Sequence, residues 1–360
     1  MTRSKTVFLV LIAGFAVPLF LADLQRSEAE PIVSDSPRGY VCYRAKAPLV
    51  IDGKLDELAW ADAPWSEPFL DIEGAGKPKP RFLTRMKMLW DDKTLYIAAE
   101  LKEPHIWGTL KNHDAVIFHD NDFEVFLDPD SDGHIYGELE MNVLNTTWDL
   151  LLTKPYKDGG KAINAWEITG LKTAVHIDGT LNDPSDEDRG WTLEIAWPME
   201  GLQEISNGKF PPKHGEQWRI NFSRVEWDIE IVKGKYVKTP KRPEHNWVWS
   251  PQGAIDMHRP EKWGVLQFST DPPGTTKLLP DPAQPARDYL HALYYAQSAN
   301  YKKHGRYMTP LSELKLPIAK ELGLPQLEVT RHGYEASVEL KKGDKRERWR
   351  ISQDARIVKE

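Results

Sequence analysis

Carboxylates are the side chains of this sequence best placed for chemistry. Asp128-Pro129-Asp130-Ser131-Asp132-Gly133 sets an acidic oxygen at every second position and ends on a glycine able to close a sharp turn. Hard cations take oxygen donors in such an arrangement, so Asp128, Asp130 and Asp132 are the expected ligands of a structural calcium ion. A helix–loop–helix calcium loop would need Glu at its twelfth position, where Leu139 stands. The other reading is a hairpin turn with three carboxylates. Upstream, His113 and His119 flank Asp114, but no spacing marks a third zinc ligand. Asp114, Asp120, Glu138 and Glu140 leave a glycosidase-type carboxylate pair open, although abundant Asp and Glu mostly mean solvated surface. GxSxG, HExxH and phosphate-cradling glycine loops are all absent, so no catalytic residue is assigned and no nucleotide cofactor is expected.

These residues sit among runs of period two, the spacing of strands with one dry and one wetter side. Leu95, Ile97, Ala99 and Leu101 alternate with Tyr96, Ala98, Glu100 and Lys102. Phe123, Val125 and Leu127 alternate with Asp122, Glu124 and Asp128, and Trp218, Ile220 and Phe222 with Arg219, Asn221 and Ser223. Trp191, Leu193, Ile195 and Trp197 follow the same rule. Further strands are expected near 84–90, 136–144, 146–152, 173–178, 245–250 and 264–269. Asp, Gly and Pro separate the runs and no long amphipathic helix interrupts them, so 40–270 reads as an all-β, antiparallel β-sandwich. Residues 271–285 are a Pro-rich linker. The period then changes to helical from Ala286 to about His304. Leu327–Arg331, Tyr334–Leu340 and Arg348–Ser352 form a small sheet, making 286–360 an α+β appendage.

Residues 1–29 read as a secretory signal peptide: Arg3 and Lys5, an apolar run from Val7 to Ala22, then Ser27-Glu28-Ala29. An uncleaved anchor is the alternative, but Gly14 and Pro18 interrupt the run, which is short of a ~20-residue span. The expected location is periplasmic or extracellular, without stable membrane insertion after cleavage. A net charge of −7 offers no overall positive field for nucleic acid. With Cys42 the only cysteine, no intrachain disulfide or CxxC pair can form, and a buried, inert thiol is expected. Many of the 14 tryptophans are expected in the core, but exposed Trp and Tyr rings are also platforms for ring-shaped ligands.

Four segments, in order, resemble the family 9 carbohydrate-binding modules and their free-standing secreted relatives. They are Leu49-Val50-Ile51-Asp52-Gly53-Lys54-Leu55-Asp56-Glu57 with Trp60, and Leu89-Trp90-Asp91-Asp92 with Thr94-Leu95-Tyr96-Ile97. Asp122-Phe123-Glu124-Val125-Phe126-Leu127-Asp128 and Gly190-Trp191-Thr192-Leu193-Glu194-Ile195-Ala196-Trp197-Pro198 complete the set. The resemblance implies a non-catalytic protein that binds carbohydrate on a concave sheet, accessory to polysaccharide capture or degradation, with structural calcium. Carried over by position, Phe118 falls at the first stacking ring and Glu124 at an acidic sugar contact. Glu140 falls near a basic contact, so its charge is reversed, while Asn142 is retained nearby and Arg224 falls at a polar contact. The second ring falls near Met257-His258, where His258 or Trp249 would substitute. Trp60 and Trp90 are expected in the core.

The same sandwich also serves haem-binding or redox-associated subunits, for which Met86 or Met88 would be the axial ligands; a glycoside-processing enzyme is the other alternative. The appendage, in Ala286-Arg287-Asp288-Tyr289-Leu290, Tyr295-Ala296-Gln297 and His304-Gly305-Arg306-Tyr307-Met308-Thr309, resembles the helix-to-loop part of pilin-type globular domains. It lacks their long apolar first helix, so a docking module for a protein partner is expected.

Overall fold

The structure, a computed structural model, describes residues 36–309, 311–314 and 316–360. The expected signal peptide lies outside the described residues. Among the described residues, fifteen strands precede the Pro-rich stretch. They are β1 (Gly39–Arg44), β2 (Leu70–Asp71), β3 (Thr84–Trp90), β4 (Thr94–Leu101), β5 (Asp122–Asp128), β6 (Tyr136–Asn142), β7 (Thr147–Leu152) and β8 (Ala162–Ile163). After these come β9 (Lys172–Asp178), β10 (Gly190–Pro198), β11 (Gln217–Glu226), β12 (Ile229–Val232), β13 (Lys235–Lys238), β14 (His245–Val248) and β15 (Gly264–Ser269). Only the short helices α1 (Leu58–Ala61) and α2 (Met199–Gln203) fall between them, apart from 3₁₀ turns.

All but the β12–β13 hairpin join one sheet in the order β8-β7-β6-β5-β11-β15-β1-β3-β4-β10-β9, with β14 on β11 and β2 on β14. The sheet curls so that both halves turn their apolar sides into one core. Phe123, Val125 and Leu127 of β5 and Ile220 and Phe222 of β11 share that core with Met86, Met88, Ile97, Leu193 and Ile195. One expectation needs correction. The two packed halves are continuous in one curled sheet, and pairing is not antiparallel throughout: β1 runs parallel to both β15 and β3. Long connections rather than crossover helices bring these partners together, since β15 arrives from more than 200 residues away. Met86 and Met88, the residues considered for haem, are fully buried in the core, as are Cys42, Trp60 and Trp90.

One carboxylate ties the first motif to the last. Glu194 Oε2 on β10 accepts the amides of Asp52 and Gly53 at 2.9 Å each, and Oε1 accepts Trp60 Nε1 at 2.7 Å. Gly53 has φ +85, and a Cβ there would meet the His176 amide nitrogen at 2.5 Å, so the turn requires glycine. Asp91 works similarly in the second motif, where Oδ1 accepts the Lys93 and Thr94 amides and Oδ2 the Tyr96 hydroxyl.

The appendage consists of α3 (Gln284–His304) and an antiparallel sheet of β16 (Gln326–Val329), β17 (Tyr334–Lys342), β18 (Lys345–Ser352) and β19 (Ile357–Lys359). Leu290, Leu293 and Tyr294 of α3 pack on Val338, Trp349 and Ile351, forming a second core. Gly305, with φ +68, ends the helix in the left-handed conformation that suits a C-terminal glycine. The 271–285 stretch is held along the sheet: Leu279 N donates to Gln267 Oε1 at 2.7 Å and Gln267 Nε2 to Lys277 O at 3.0 Å.

Candidate functional site

Strands β5, β6, β7 and β11 turn their other side away from the core, and their register fixes what lies there. Glu124 pairs with Glu140 and Ser223, Phe126 with Glu138, and Glu140 with Trp148. Asp122, Glu124, Glu138 and Glu140 therefore share one face. These acids were expected on the wetter side of their strands, yet all four are buried. Burial pushes Glu124 up to about 7 and holds Asp122, Glu138 and Glu140 well above the usual carboxylate range, and the Glu124 charge adds to each of those three. Asp122 Oδ2 and Glu138 Oε2 are buried without a hydrogen-bond partner.

Rings flank this acidic row. Phe118, in a 3₁₀ turn, lies 6.5 Å from half-buried Trp148 at an interplanar angle of 29°, and its amide donates to Glu140 Oε2 at 3.0 Å. At the other end, exposed Tyr156 stands 4.5 Å from His258, edge to face. Tyr136 also lies against His258, its hydroxyl 2.8 Å from His258 Nδ1. Burial lowers His258 to about 4, so the ring is neutral near pH 7. Trp227 Nε1 donates to Phe118 O, and Lys238 Nζ sits 3.5 Å from the centre of the Trp227 ring.

Of the seven residues singled out for sugar contact, Phe118, Glu124 and Glu140 come together on this face and His258 lies at its far end. Asn142 is fully buried and committed. Its Nδ2 donates to Leu110 O and Asp120 Oδ2, and its Oδ1 accepts the Leu144 and Thr146 amides. Arg224 and Trp249 are on the core side. Trp249 is fully buried against Phe222, and a Cβ on Gly264 would come within 2.1 Å of its ring. Arg224 is 1% exposed among Glu103, Glu226 and Thr84. Sequence reasoning missed Trp148, Tyr156, Trp227 and Lys238. Trp148 carried a signal, since it shares the side of β7 with Leu150 and Leu152.

The acidic turn is built as its residues suggest. Asp128 accepts the Ser131 and Gly133 amides, and Asp132 accepts the His134 amide. Asp128, Asp130 and Asp132 each bring an oxygen within 4.8 Å of the others, a grouping that could hold a metal ion. Asp130 Oδ1 is buried without a partner. The appendage reaches the same turn: Arg356 Nε contacts Asp132 Oδ2 at 2.9 Å and Arg287 Nη1 donates to Ser131 O at 2.7 Å.

Residues 51–211 match the family model described as carbohydrate family 9 binding domain-like. That segment is similar to the family 9 carbohydrate-binding domains. Family 9 modules are typically non-catalytic. The matched segment includes β5, β6 and β7 but ends before β11 and the appendage. No curated protein matches the chain. Among solved structures, one similar chain is a putative carbohydrate-binding protein from Bacteroides uniformis, 16% identical, covering 65% of this chain and all of its own, with a TM-score of 0.48. Another is a family 9 module from Caldicellulosiruptor kristjanssonii in complex with cellotriose, 17% identical, covering 67% of this chain and all of its own, with a TM-score of 0.42. No helix among the described residues is long and apolar enough to cross a membrane.

Proposed function

We propose that the ring-flanked acidic face binds the end of a carbohydrate chain, that the protein is an exported, non-catalytic accessory to polysaccharide capture or degradation, and that the leader pattern directs the export. The observation that carries this reading is the pair of buried, unpartnered oxygens, Asp122 Oδ2 and Glu138 Oε2, on a face with rings at both ends. Sugar hydroxyls both donate and accept, so they pair with a carboxyl in either protonation state, while the C–H faces of pyranose rings need apolar cover. Glu138 and Glu140 are two residues apart on one strand, about 7 Å, which is the scale of one sugar ring. Affinity is modest, because each hydroxyl exchanges a water bond for a protein bond at small net gain.

A glycan array finds the ligand and calorimetry compares variants. Trp148→Ala is expected to weaken binding about tenfold, or ~1.4 kcal/mol, and Glu124→Gln to weaken it while the fold is kept. Equal affinity in both variants would move the site elsewhere, and the absence of any glycan binding would overturn the reading.

The ion we place at Asp128, Asp130 and Asp132 is calcium, which prefers oxygen donors. The unpartnered Asp130 Oδ1 fits such an ion, while Arg356 already supplies positive charge to Asp132. Calcium added to chelator-treated protein is expected to raise the melting temperature, since a ligand of the native state stabilises it by mass action. An unchanged melting temperature would leave the arginines as the only counter-charge to this turn.

A further inference from the structure

We propose that His113, Asp114 and Asp149, with Glu167 beside the imidazole, form a binding site for a divalent transition-metal ion of the Zn2+ class. The site is separate from both the acidic turn and the ring-flanked face, because β7 turns Trp148 toward that face and Asp149 toward its opposite side. Asp149 is 2% exposed. Its Oδ2 accepts the Ile168 amide at 2.6 Å, but Oδ1 is buried without a hydrogen-bond partner and points at His113 Nε2 from 3.7 Å. The same Nε2 lies 3.4 Å from Asp114 Oδ1 and 3.1 Å from Glu167 Oε2.

The imidazole is oriented from behind. His113 Nδ1 lies 3.0 Å from the Thr147 carbonyl oxygen, which can only accept, so Nδ1 carries the hydrogen and donates it. In the neutral ring, Nε2 then presents its lone pair to three carboxylates. These electron-rich groups repel one another unless a proton on Nε2 or a metal cation lies between them, and a proton there serves Glu167 at 3.1 Å while leaving the buried Asp149 Oδ1, at 3.7 Å, without a partner. A backbone carbonyl that fixes the tautomer is also the usual outer support of a metal-binding histidine.

The spacing selects the ion. In a tetrahedral site with bonds of about 2.0–2.1 Å, donor atoms lie roughly 3.3–3.4 Å apart. The three separations from Nε2, 3.1, 3.4 and 3.7 Å, bracket that value. Imidazole with carboxylates suits Zn2+ and its neighbours, whereas Ca2+ and Mg2+ favour all-oxygen sites. Bound there, the ion would join the 113–114 turn, β7 and the 167–168 segment.

The test is Zn2+ titration of the chelator-treated full chain by calorimetry at fixed pH, with Co2+ absorption as a second readout. One equivalent is expected, with tetrahedral-type Co2+ bands. His113→Gln should weaken binding by about 100-fold or more, since loss of even an outer-shell partner costs 10–100-fold. Glu167→Gln, at an exposed position where folding is not at risk, should weaken binding and alter the Co2+ spectrum. Asp130→Asn, in the acidic turn, should leave both unchanged. No stoichiometric Zn2+ uptake by the wild type, wild-type affinity in His113→Gln, or loss of binding in Asp130→Asn alone would each overturn the site. If His113→Gln fails to fold, judged by circular dichroism, Glu167→Gln decides by the same two readouts.

Discussion

Replacing Arg224 by Ala is expected to lower the unfolding free energy by roughly 3–5 kcal/mol, the cost of leaving a buried ion pair without one partner. Arg224 Nη2 donates to Glu103 Oε2 at 2.7 Å and to Glu226 Oε2 at 2.8 Å, and Nη1 donates to Thr84 Oγ1 and Lys102 O. The guanidinium also lies over the Phe82 and Trp247 rings. It therefore joins the start of β3 and the end of β11, where β14 pairs, to the end of β4. Without it, Glu103 and Glu226 face each other in the interior, with Arg81 at 3.1 Å from Glu226 and the neutral donors Asn121 Nδ2 and His105 N on Glu103 as partial compensation. Burial and the Glu226 charge already raise Glu103 to about 8 against the pull of Arg224, so in the variant Glu103 escapes by taking a proton more firmly. Urea unfolding of Arg224→Ala beside wild type measures the loss. Arg224→Met with Glu103→Gln should recover much of it, because replacing both partners of a buried pair is often near neutral. A loss under 1 kcal/mol would mean that Arg224 is the solvent-facing sugar contact implied by the family 9 resemblance, since exposed substitutions usually fall within about 0.5 kcal/mol.

The buried position of Arg224 was legible in the alternation. Trp218, Ile220 and Phe222 point one way, Arg219, Asn221 and Ser223 the other, so residue 224 belongs with the apolar set. A charge in an apolar register signals a buried network, and carry-over by family position outweighed that local rule. Long strands showed themselves for the same physical reason: β3, β5 and β15 begin and end where period two and the turn residues place them. What period two cannot give is which polar side is wet. Residues 155–158 and 256–258 and the β12–β13 hairpin bring Tyr156, His258 and Lys238 around the carboxylates, and none of these segments has a long periodic signal. Two-residue strands such as β2 and β8 are too short to show a period. The His113 cluster was half visible: Asp114 is adjacent, but Asp149 and Glu167 arrive from 36 and 54 residues away through the fold of β7 and its following loop.

Stability is expected to fall as pH rises from about 6.5 to 8. Asp122, Glu124, Glu138 and Glu140 have folded pKa values above the unfolded carboxylate value of about 4.3, because burial disfavours their charged forms. A group of this kind binds more protons folded than unfolded, so its contribution is present below the unfolded pKa and declines as pH rises toward the folded one. Below pH ~6.5 two histidines act in the opposite sense: burial lowers His258 and His291 to about 4, and the unfolded chain binds their protons first. Above that pH their effect is spent, while Glu124 at about 7 and Glu103 at about 8 still titrate. Each such group contributes up to ~1.4 kcal/mol per pH unit, so two or more give a loss of at least roughly 2 kcal/mol over the window. Lys87, lowered to about 8 by burial, marks its upper end, because from there the unfolded chain holds the extra proton. Urea unfolding at pH 6.5, 7.25 and 8.0 in metal-free buffer reads the slope. Glu140→Gln, which keeps the shape but cannot ionise, should flatten it and raise stability at pH 8. A slope of zero or a rise in the wild type would mean that these carboxyls ionise without cost, as they would on an open, solvated face. The sign of one slope therefore distinguishes a covered acidic slot, dry enough to hold neutral carboxyls that both donate to and accept from a hydroxyl, from a wet strand surface.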